Sequence, residues 1–410
     1  MTAQPLGEIA EIIRGISFPK DAKSLVPRDG DVACLRTTNV QREVEWDDLW
    51  FVPTEHVKRT EQFVQSGDIL ISTANSFELV GKVALVAGLP RQATLGAFIS
   101  LIRPRPGVDP KYLYHQLAWG RTQSRIRETA STTTNISNVS SKKLAALELD
   151  LPPVDEQRRI VAELDKQFSR LDETVANLKR VKVSISRYQA SALSEAARSG
   201  ERWANCTIAD LLRERIVNGL SVKESTSPTS VRALRLSAMC ASGLDYADHR
   251  FLPVDPASVG DILVEEGDFF VSRGNGSLAL VGRGAVAQAP PYPVIFPDTM
   301  MRLRFADAEI RRWVATLWPS RLVRRQIEQR VKTTAGIYKI AQPQVASISL
   351  PLPPASERDR IVAEVDRRLS IVREVEAAVD ANLKRAQALR QAVLARAFTF
   401  RHASETMTAA

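Results

Sequence analysis

Cysteine and histidine are scarce in this chain of 410 residues, with three of the first and four of the second. Cys34, Cys206 and Cys240 have neither the spacing of a metal site nor that of a disulfide framework, which predicts buried thiols in a reducing cytoplasm. His56, His115, His249 and His402 are scattered, so no histidine cluster marks a metal centre. No apolar run approaches the roughly 18–20 residues that span a bilayer, and the opening Met1-Thr2-Ala3-Gln4-Pro5 is unlike a signal peptide. Paired acids, a nucleophile beside a base, and a phosphate loop closed by Gly-Lys-Ser/Thr are all missing. Two enzyme-like strings fail on inspection. Ala289-Pro290-Pro291-Tyr292 resembles the Asp/Asn-Pro-Pro-Tyr motif of amino-methyltransferases, but Ala289 cannot accept a hydrogen bond from a target amine. Gly274-Asn275-Gly276 resembles a phosphate turn, yet its counterpart is Ala74-Asn75-Ser76.

What the chain does have is an internal repeat. Leu151-Pro152-Pro153-Val154-Asp155-Glu156-Gln157 returns as Leu352-Pro353-Pro354-Ala355-Ser356-Glu357-Arg358, and the same offset of 201 residues (353 − 152) still relates Leu193 to Leu394. After each Pro-Pro, with Asp155 and Ser356 as expected N-caps, neither proline nor glycine occurs until Gly200 in copy one, or through Phe400 in copy two. Each copy therefore reads as one long helix, roughly 65 Å for about 43 residues at ~1.5 Å each. Leu164, Leu171, Leu178 and Ile185 form a heptad stripe beside Val161, Phe168 and Val175. Val365, Val372 and Val379 repeat it, with Val362, Leu369 and Leu383 alongside. So narrow a stripe predicts burial against a single partner helix, and the other copy is the natural partner. Lys182 and Glu376 interrupt the stripes, and in an antiparallel pair they become neighbours.

The segments between the helices match more loosely. Gly67-Asp68-Ile69-Leu70-Ile71-Ser72 is answered by Gly267-Asp268-Phe269-Phe270-Val271-Ser272, and Val80-Gly81-Lys82 by Val281-Gly282-Arg283. A helix is expected over 112–127 and another over 310–331, each leading to a Thr-rich run. The expected fold class is α+β: two α/β domains joined by two long antiparallel helices forming a coiled coil. The expected segments are a first domain at 1–150, a central helix at 151–200, a second domain at 201–351, a C-terminal helix at 352–400 and a disordered tail at 401–410.

The net charge of +9 permits a polyanion partner. The polar loops after the matched strands are the candidates for reading one, namely Ser72, Thr73, Asn75 and Ser76 in the first domain and Ser272, Arg273, Asn275 and Ser277 in the second. Asn and Arg pair bidentately with base edges, whereas Ser, Thr and Lys mostly hold phosphates. Arg121, Arg125, Arg321 and Arg324 on the basic helices are candidates for phosphate contact, and Arg36 and Arg235 at strand ends are further ones.

The Leu-Pro-Pro-x-x-Glu-Gln lead-in, its echo, the repeated long helices, and the Gly-Asp-Ile-Leu-Ile-Ser strand with its Val-Gly-Lys continuation resemble the specificity subunit of type I restriction–modification systems. The resemblance covers essentially the whole chain, with Arg358 departing from the family's Gln. It implies a non-catalytic subunit with two target recognition domains, each reading half of a split, asymmetric site on double-stranded DNA. The helices would serve as a ruler for the spacer. It also implies two modification subunits that bring S-adenosylmethionine, and restriction subunits driven by ATP with Mg, so that no cofactor is expected in this chain. Two readings of other classes stay open on the residues alone: a coiled-coil interaction scaffold without DNA specificity, and a free-standing DNA methyltransferase.

Overall fold

A computed structural model describes residues 3–133, 136–199, 203–221, 231–240, 243–255, 258–334 and 336–406. Its contacts divide the chain into two units, Met1–Leu178 with Ala381–Ala410, and Lys179–Asp380. Each unit thus takes one of the expected domains and half of both long helices.

The first domain opens with a strand, Ala3–Pro5 (β1), one helical turn, Leu6–Ile9 (α1), and a strand, Ala10–Arg14 (β2). It continues through Asp31–Leu35 (β3), Trp50–Pro53 (β4), Ile69–Ser72 (β5), Ala74–Asn75 (β6), Val83–Leu85 (β7), Ala93–Leu95 (β8) and Ile99–Pro104 (β9). Helices Pro110–Ala118 (α2) and Gly120–Glu128 (α3) follow, then Ser131–Thr132 (β10), Ser137–Asn138 (β11), Ser141–Ala145 (α4) and Glu148–Asp150 (β12). The sheets run β2-β9-β5-β7, β4-β3-β8, β10-β11-β6 and β1-β12. Ile69, Leu70 and Ile71 are all fully buried, so β5 lacks the polar alternation of a half-solvated strand. Ile69 and Ile71 face a core completed by Leu113, Leu117 and Ile126 of the helices, and Leu70 faces the second sheet.

The second domain repeats this order. Its strands are Asn205–Thr207 (β13), Val217–Asn218 (β14), Val231–Leu234 (β15), Met239–Cys240 (β16), Gly243–Leu244 (β17), His249–Leu252 (β18), Phe269–Ser272 (β19), Gly274–Asn275 (β20), Gly284–Val286 (β21), Val294–Ile295 (β22), Met300–Leu303 (β23), Lys332–Thr334 (β24), Ile337–Lys339 (β25) and Ser349–Pro351 (β26). The sheets run β14-β23-β19-β21, β18-β15-β22, β20-β25-β24 and β13-β26, with an additional two-stranded pair, β16-β17, that the first domain's sheets do not match. Each sheet of the first domain has its counterpart, strand for strand, and the parallel pairing of β3 with β8 recurs as β15 with β22. The two domains share one topology, although only their strand ends match in sequence.

The single helices expected over 112–127 and 310–331 are each two. The first breaks at Trp119, between α2 and α3. The second is Ala308–Leu317 followed by Arg321–Arg330, interrupted by Trp318-Pro319-Ser320. Pro319 cannot continue a helical hydrogen-bond ladder. Trp119 takes extended backbone, φ −67° and ψ 134°.

Val154–Ser199 and Ala355–Thr406 are the two long helices. They begin one residue before the expected caps, because the carbonyls of Pro153 and Pro354 accept the first turn's amides at 3.0 Å. Asp155, Glu156 and Glu357 lie in that first turn, where carboxylates meet the positive end of the helix dipole. The second helix runs to Thr406, beyond the tail expected from 401, and no proline or glycine interrupts it; residues 407–410 lie outside the described ones.

Within the first unit Ile160, Val161, Leu164 and Phe168 pack with Leu394 and Phe398, and Leu171 and Leu178 are half-buried. Within the second, Ile185, Val365, Val372 and Val379 are buried and Leu383, in the first unit's portion, is half-buried. Arg368 donates to Glu195 and Lys182 to Asp380, both at 2.7 Å. From Lys182 to Glu195 the partner number falls from 380 to 368, which makes the pair antiparallel. Lys182 takes Asp380 rather than Glu376 as its hydrogen-bond partner, and Glu376 adds a weaker charge attraction nearby. Both acids lie on the side facing Lys182, one turn apart.

Candidate nucleic-acid interface

The polar loop after β5 is pinned at its base. Ser72 N–H donates to the Lys82 carbonyl at 2.9 Å and Gly81 N–H to the Ser72 carbonyl at 2.8 Å; Ser272 repeats both bonds with Arg283 and Gly282, each at 2.9 Å. Gly81 and Gly282 hold φ of 85° and 74°, and a Cβ there would meet a methyl of Ile126 or Ile327 at 2.8 or 2.7 Å. A left-handed residue at a close helix approach requires glycine. That constraint explains why Val-Gly-Lys recurs as Val-Gly-Arg.

From this base the loop enters a small sheet that the linear sequence does not announce. Asn75 pairs with Ser137 and Ala74 with Asn138, while Ser131 and Thr132 complete the ladder. In the second domain Asn275 pairs with Tyr338 and Gly274 with Lys339, joined by Lys332 and Thr333. The loop and the Thr-rich run, some sixty residues apart in sequence, thus form one polar surface in each domain. Further anchors match too. The Thr73 amide donates to the Phe98 carbonyl at 2.9 Å and the Arg273 amide to that of Thr299 at 2.8 Å. Thr134, Asn135 and Ala335 of the Thr-rich runs lie outside the described residues.

The individual side chains sort into holders and presenters. Ser72 and Ser272 are buried; the Ser72 hydroxyl accepts from Asn75 at 3.3 Å, and the Ser272 hydroxyl donates to the Leu280 carbonyl at 2.6 Å. Half-buried Asn75 and Asn275 accept from the amides of Ser76 and Ser277, at 2.9 and 3.1 Å, shaping their own loops. Thr73 is half-buried, and Ser76 and Ser277 are exposed. Arg273 makes one long bond, 3.3 Å, to the Asp298 carbonyl, leaving most of its donors to solvent. Arg36 pairs with Asp48 and stacks on Trp50 at 4.7 Å. Arg324 is a strut, donating to the carbonyls of Val281 (2.6 Å) and Leu278 (2.9 Å) and to Glu328 (2.8 Å). Exposed Arg125 reaches the Glu148 carbonyl at 2.9 Å, and Arg235 lies by Asp248 at 3.8 Å. Arg121 stands over Trp119, and Arg321 is exposed at the start of its helix. The structure therefore gathers the loop candidates with the Thr-rich runs, and assigns Arg36 and Arg324 to holding the fold. Among the described residues no three metal-ligating side chains cluster, and no helix is long and apolar enough to cross a membrane.

Residues 2–184 match the family model described as the type I restriction modification DNA specificity domain. The chain is 26% identical to the type I restriction enzyme EcoKI specificity subunit of Escherichia coli (strain K12), over 96% of this chain and 87% of that one. It is 25% identical to the StySPI specificity subunit of Salmonella potsdam, with the same coverage. Over nearly its whole length the chain is thus similar to specificity subunits of type I restriction–modification systems. Its fold is also that of a chain in a solved structure concerned with complex assembly and conformational transition of the type I R-M system, with a TM-score of 0.66, 17% identity and 97% of each chain covered.

A buried ion pair braces the start of the strand that leads into each loop. Asp68, 1% exposed, accepts two bonds from Arg103 at 2.8 Å and one from the Gln65 amide at 2.7 Å. Asp268 does the same for Arg304 and the Glu265 amide. The hydrogen bond to Asp68 pushes the Arg103 pKa up against the opposing effect of burial. The Gly-Asp of the repeated motif was legible as a strand lead-in, but its arginine partner, 35 residues away, was not. The helix starts differ as their sequences do. Gln157 is fully buried and bonds the Asp109 amide (2.7 Å) and the carbonyls of Gly107 (3.1 Å) and Pro152 (2.8 Å). Arg358 keeps only the equivalent bond, to Pro353 at 3.1 Å, and reaches Glu309 at 3.7 Å.

Proposed function

We propose that each domain of this specificity subunit reads one half of a bipartite, asymmetric DNA site through its loop-and-small-sheet surface. The observation that carries the reading is the strand-for-strand recurrence of one specificity-domain topology with divergent side chains at the same pinned loop. Identical scaffolds hold the two surfaces in the same local geometry, while Thr73-Ala74-Asn75-Ser76 and Arg273-Gly274-Asn275-Gly276 offer different hydrogen-bonding groups. Different half-sites follow, and the length of the paired helices sets the unread spacer.

The remaining chemistry is proposed to reside in partners. Two modification subunits carry S-adenosylmethionine and methylate adenine, and restriction subunits use ATP and Mg to cleave; this chain contributes no cofactor site. Gel shifts with the full chain, alone and with its modification subunits, test the reading. Specific retention of one bipartite duplex supports it. Assembly with the subunits but no sequence preference would favour a pure interaction scaffold.

A further inference from the structure

The two reading surfaces differ in chemical character as well as in sequence. Beside the first domain's loop stand Phe77, 51% exposed, Phe98, 62% exposed, and Ile136, 47% exposed. Backbone bonds gather them at one end: the Phe98 carbonyl accepts the Thr73 and Ala74 amides, Phe77 follows Asn75 by two residues, and Ile136 precedes Ser137, the partner of Asn75. The small sheet between them is neutral, formed of Ser131, Thr132, Ser137, Asn138, Ala74 and Asn75. In the second domain Ile337, 44% exposed, keeps the place of Ile136, but the counterparts of Phe77 and Phe98 are polar, Ser277 and Thr299, and the small sheet carries Lys332 and Lys339.

Single exposed apolar side chains are ordinary, but two exposed phenylalanines and an isoleucine around one polar loop form a patch that asks for a cover. In the major groove the apolar group presented by the bases is the thymine 5-methyl, which a phenylalanine contacts. We infer that Phe77 and Phe98 are specificity-determining residues that pack on thymine methyl groups in the first domain's half-site, while the second domain reads chiefly through Arg273 and its lysines. The inference rests on the proposed DNA-reading function and adds the kind of base contact each domain makes.

The test uses the full chain assembled with its modification subunits and a duplex carrying the sequence at which that complex methylates adenine. Deoxyuridine, which lacks only the methyl, replaces each thymine in turn. At one or more positions of the first domain's half-site, affinity should fall about four-fold, the value of one buried methyl. Replacements in the other half-site should change it less than two-fold. A Phe77→Ser, Phe98→Ser double variant should bind more weakly and become indifferent to the deoxyuridine. Specific binding that is equally indifferent in the unaltered protein overturns the inference and leaves the DNA-reading function standing. So does a double variant that loses its modification subunits, since the patch would then be a protein contact. No specific binding by any assembly would instead remove the function itself.

Discussion

Asp172 on the central helix is gripped by Arg390 of the C-terminal helix at 2.9 Å and by both terminal nitrogens of Arg42 of the first domain, one of them at 2.6 Å. One carboxylate thus ties domain to helix and helix to helix within the first unit. Arg390 also lies 3.8 Å from the ring centre of Phe168, and burial followed by the neighbouring Arg42 charge lowers its pKa. Asp172→Asn leaves two guanidinium groups facing each other, with only the exposed Glu43, 3.8 Å from Arg42, as a counter-charge. Because the carboxylate is one-third exposed, solvent screening limits the expected loss to about 1–2 kcal/mol. Denaturant unfolding at low and high salt measures it, and the gap from the unaltered protein should narrow as salt rises.

Gln157 and Arg358 occupy equivalent helix starts and predict opposite sensitivities. Gln157→Ala strips three hydrogen bonds from a fully buried site and should cost about 2–4 kcal/mol. Arg358 Nε is buried without a partner, so Arg358→Gln, which restores the residue of the other copy, should change stability by less than about 1 kcal/mol. Thermal unfolding of the two variants side by side decides this.

His115 is buried, with ring contacts to Tyr114 and Phe168. Burial lowers its pKa from 6.5 to about 4, against an opposing pull from Asp165. The unfolded chain therefore takes up a proton first as pH falls. The neutral ring's stabilisation is complete above pH 6.5 and is lost progressively down to about pH 4, by up to about 3 kcal/mol. His115→Phe should flatten that part of the stability-against-pH curve, read as the difference from the unaltered protein.

Two arginines of the same helix should separate structural from DNA-contacting charge. Arg324→Ala removes three internal bonds and should lower stability by about 2 kcal/mol. Arg321→Ala should leave stability unchanged and reduce the salt slope of DNA binding by about one.

How much of this was readable beforehand follows the range of the interactions. The long helices were legible because Leu164, Leu171, Leu178 and their counterparts repeat at a local period, and the candidate loops because the strand before each recurs, Gly67 to Ser72 as Gly267 to Ser272. Local pattern could not pair Lys182 with Asp380, since Glu376 lies on the same face one turn away. It could not show that the Ser131–Thr132 run joins Ala74–Asn75 in one sheet, or that Asp68 and Asp268 sit on Arg103 and Arg304. Nor could it tell that Arg36 and Arg324 are consumed by Asp48, Glu328 and backbone carbonyls. Such pairings are decided by topology, and one sequence records topology only where it repeats.

On the proposed function, duplicated helices separate two independent readers. Inserting one heptad into each long helix, at matched points of the antiparallel pair, and then sequencing the methylated adenines in DNA modified by the assembled complex tests it most directly. A heptad adds about 10 Å along each helix, so the account predicts both half-sites unchanged and a spacer longer by about one to three base pairs of ~3.4 Å each. Altered half-sites, or an unchanged spacer with full activity, would contradict it.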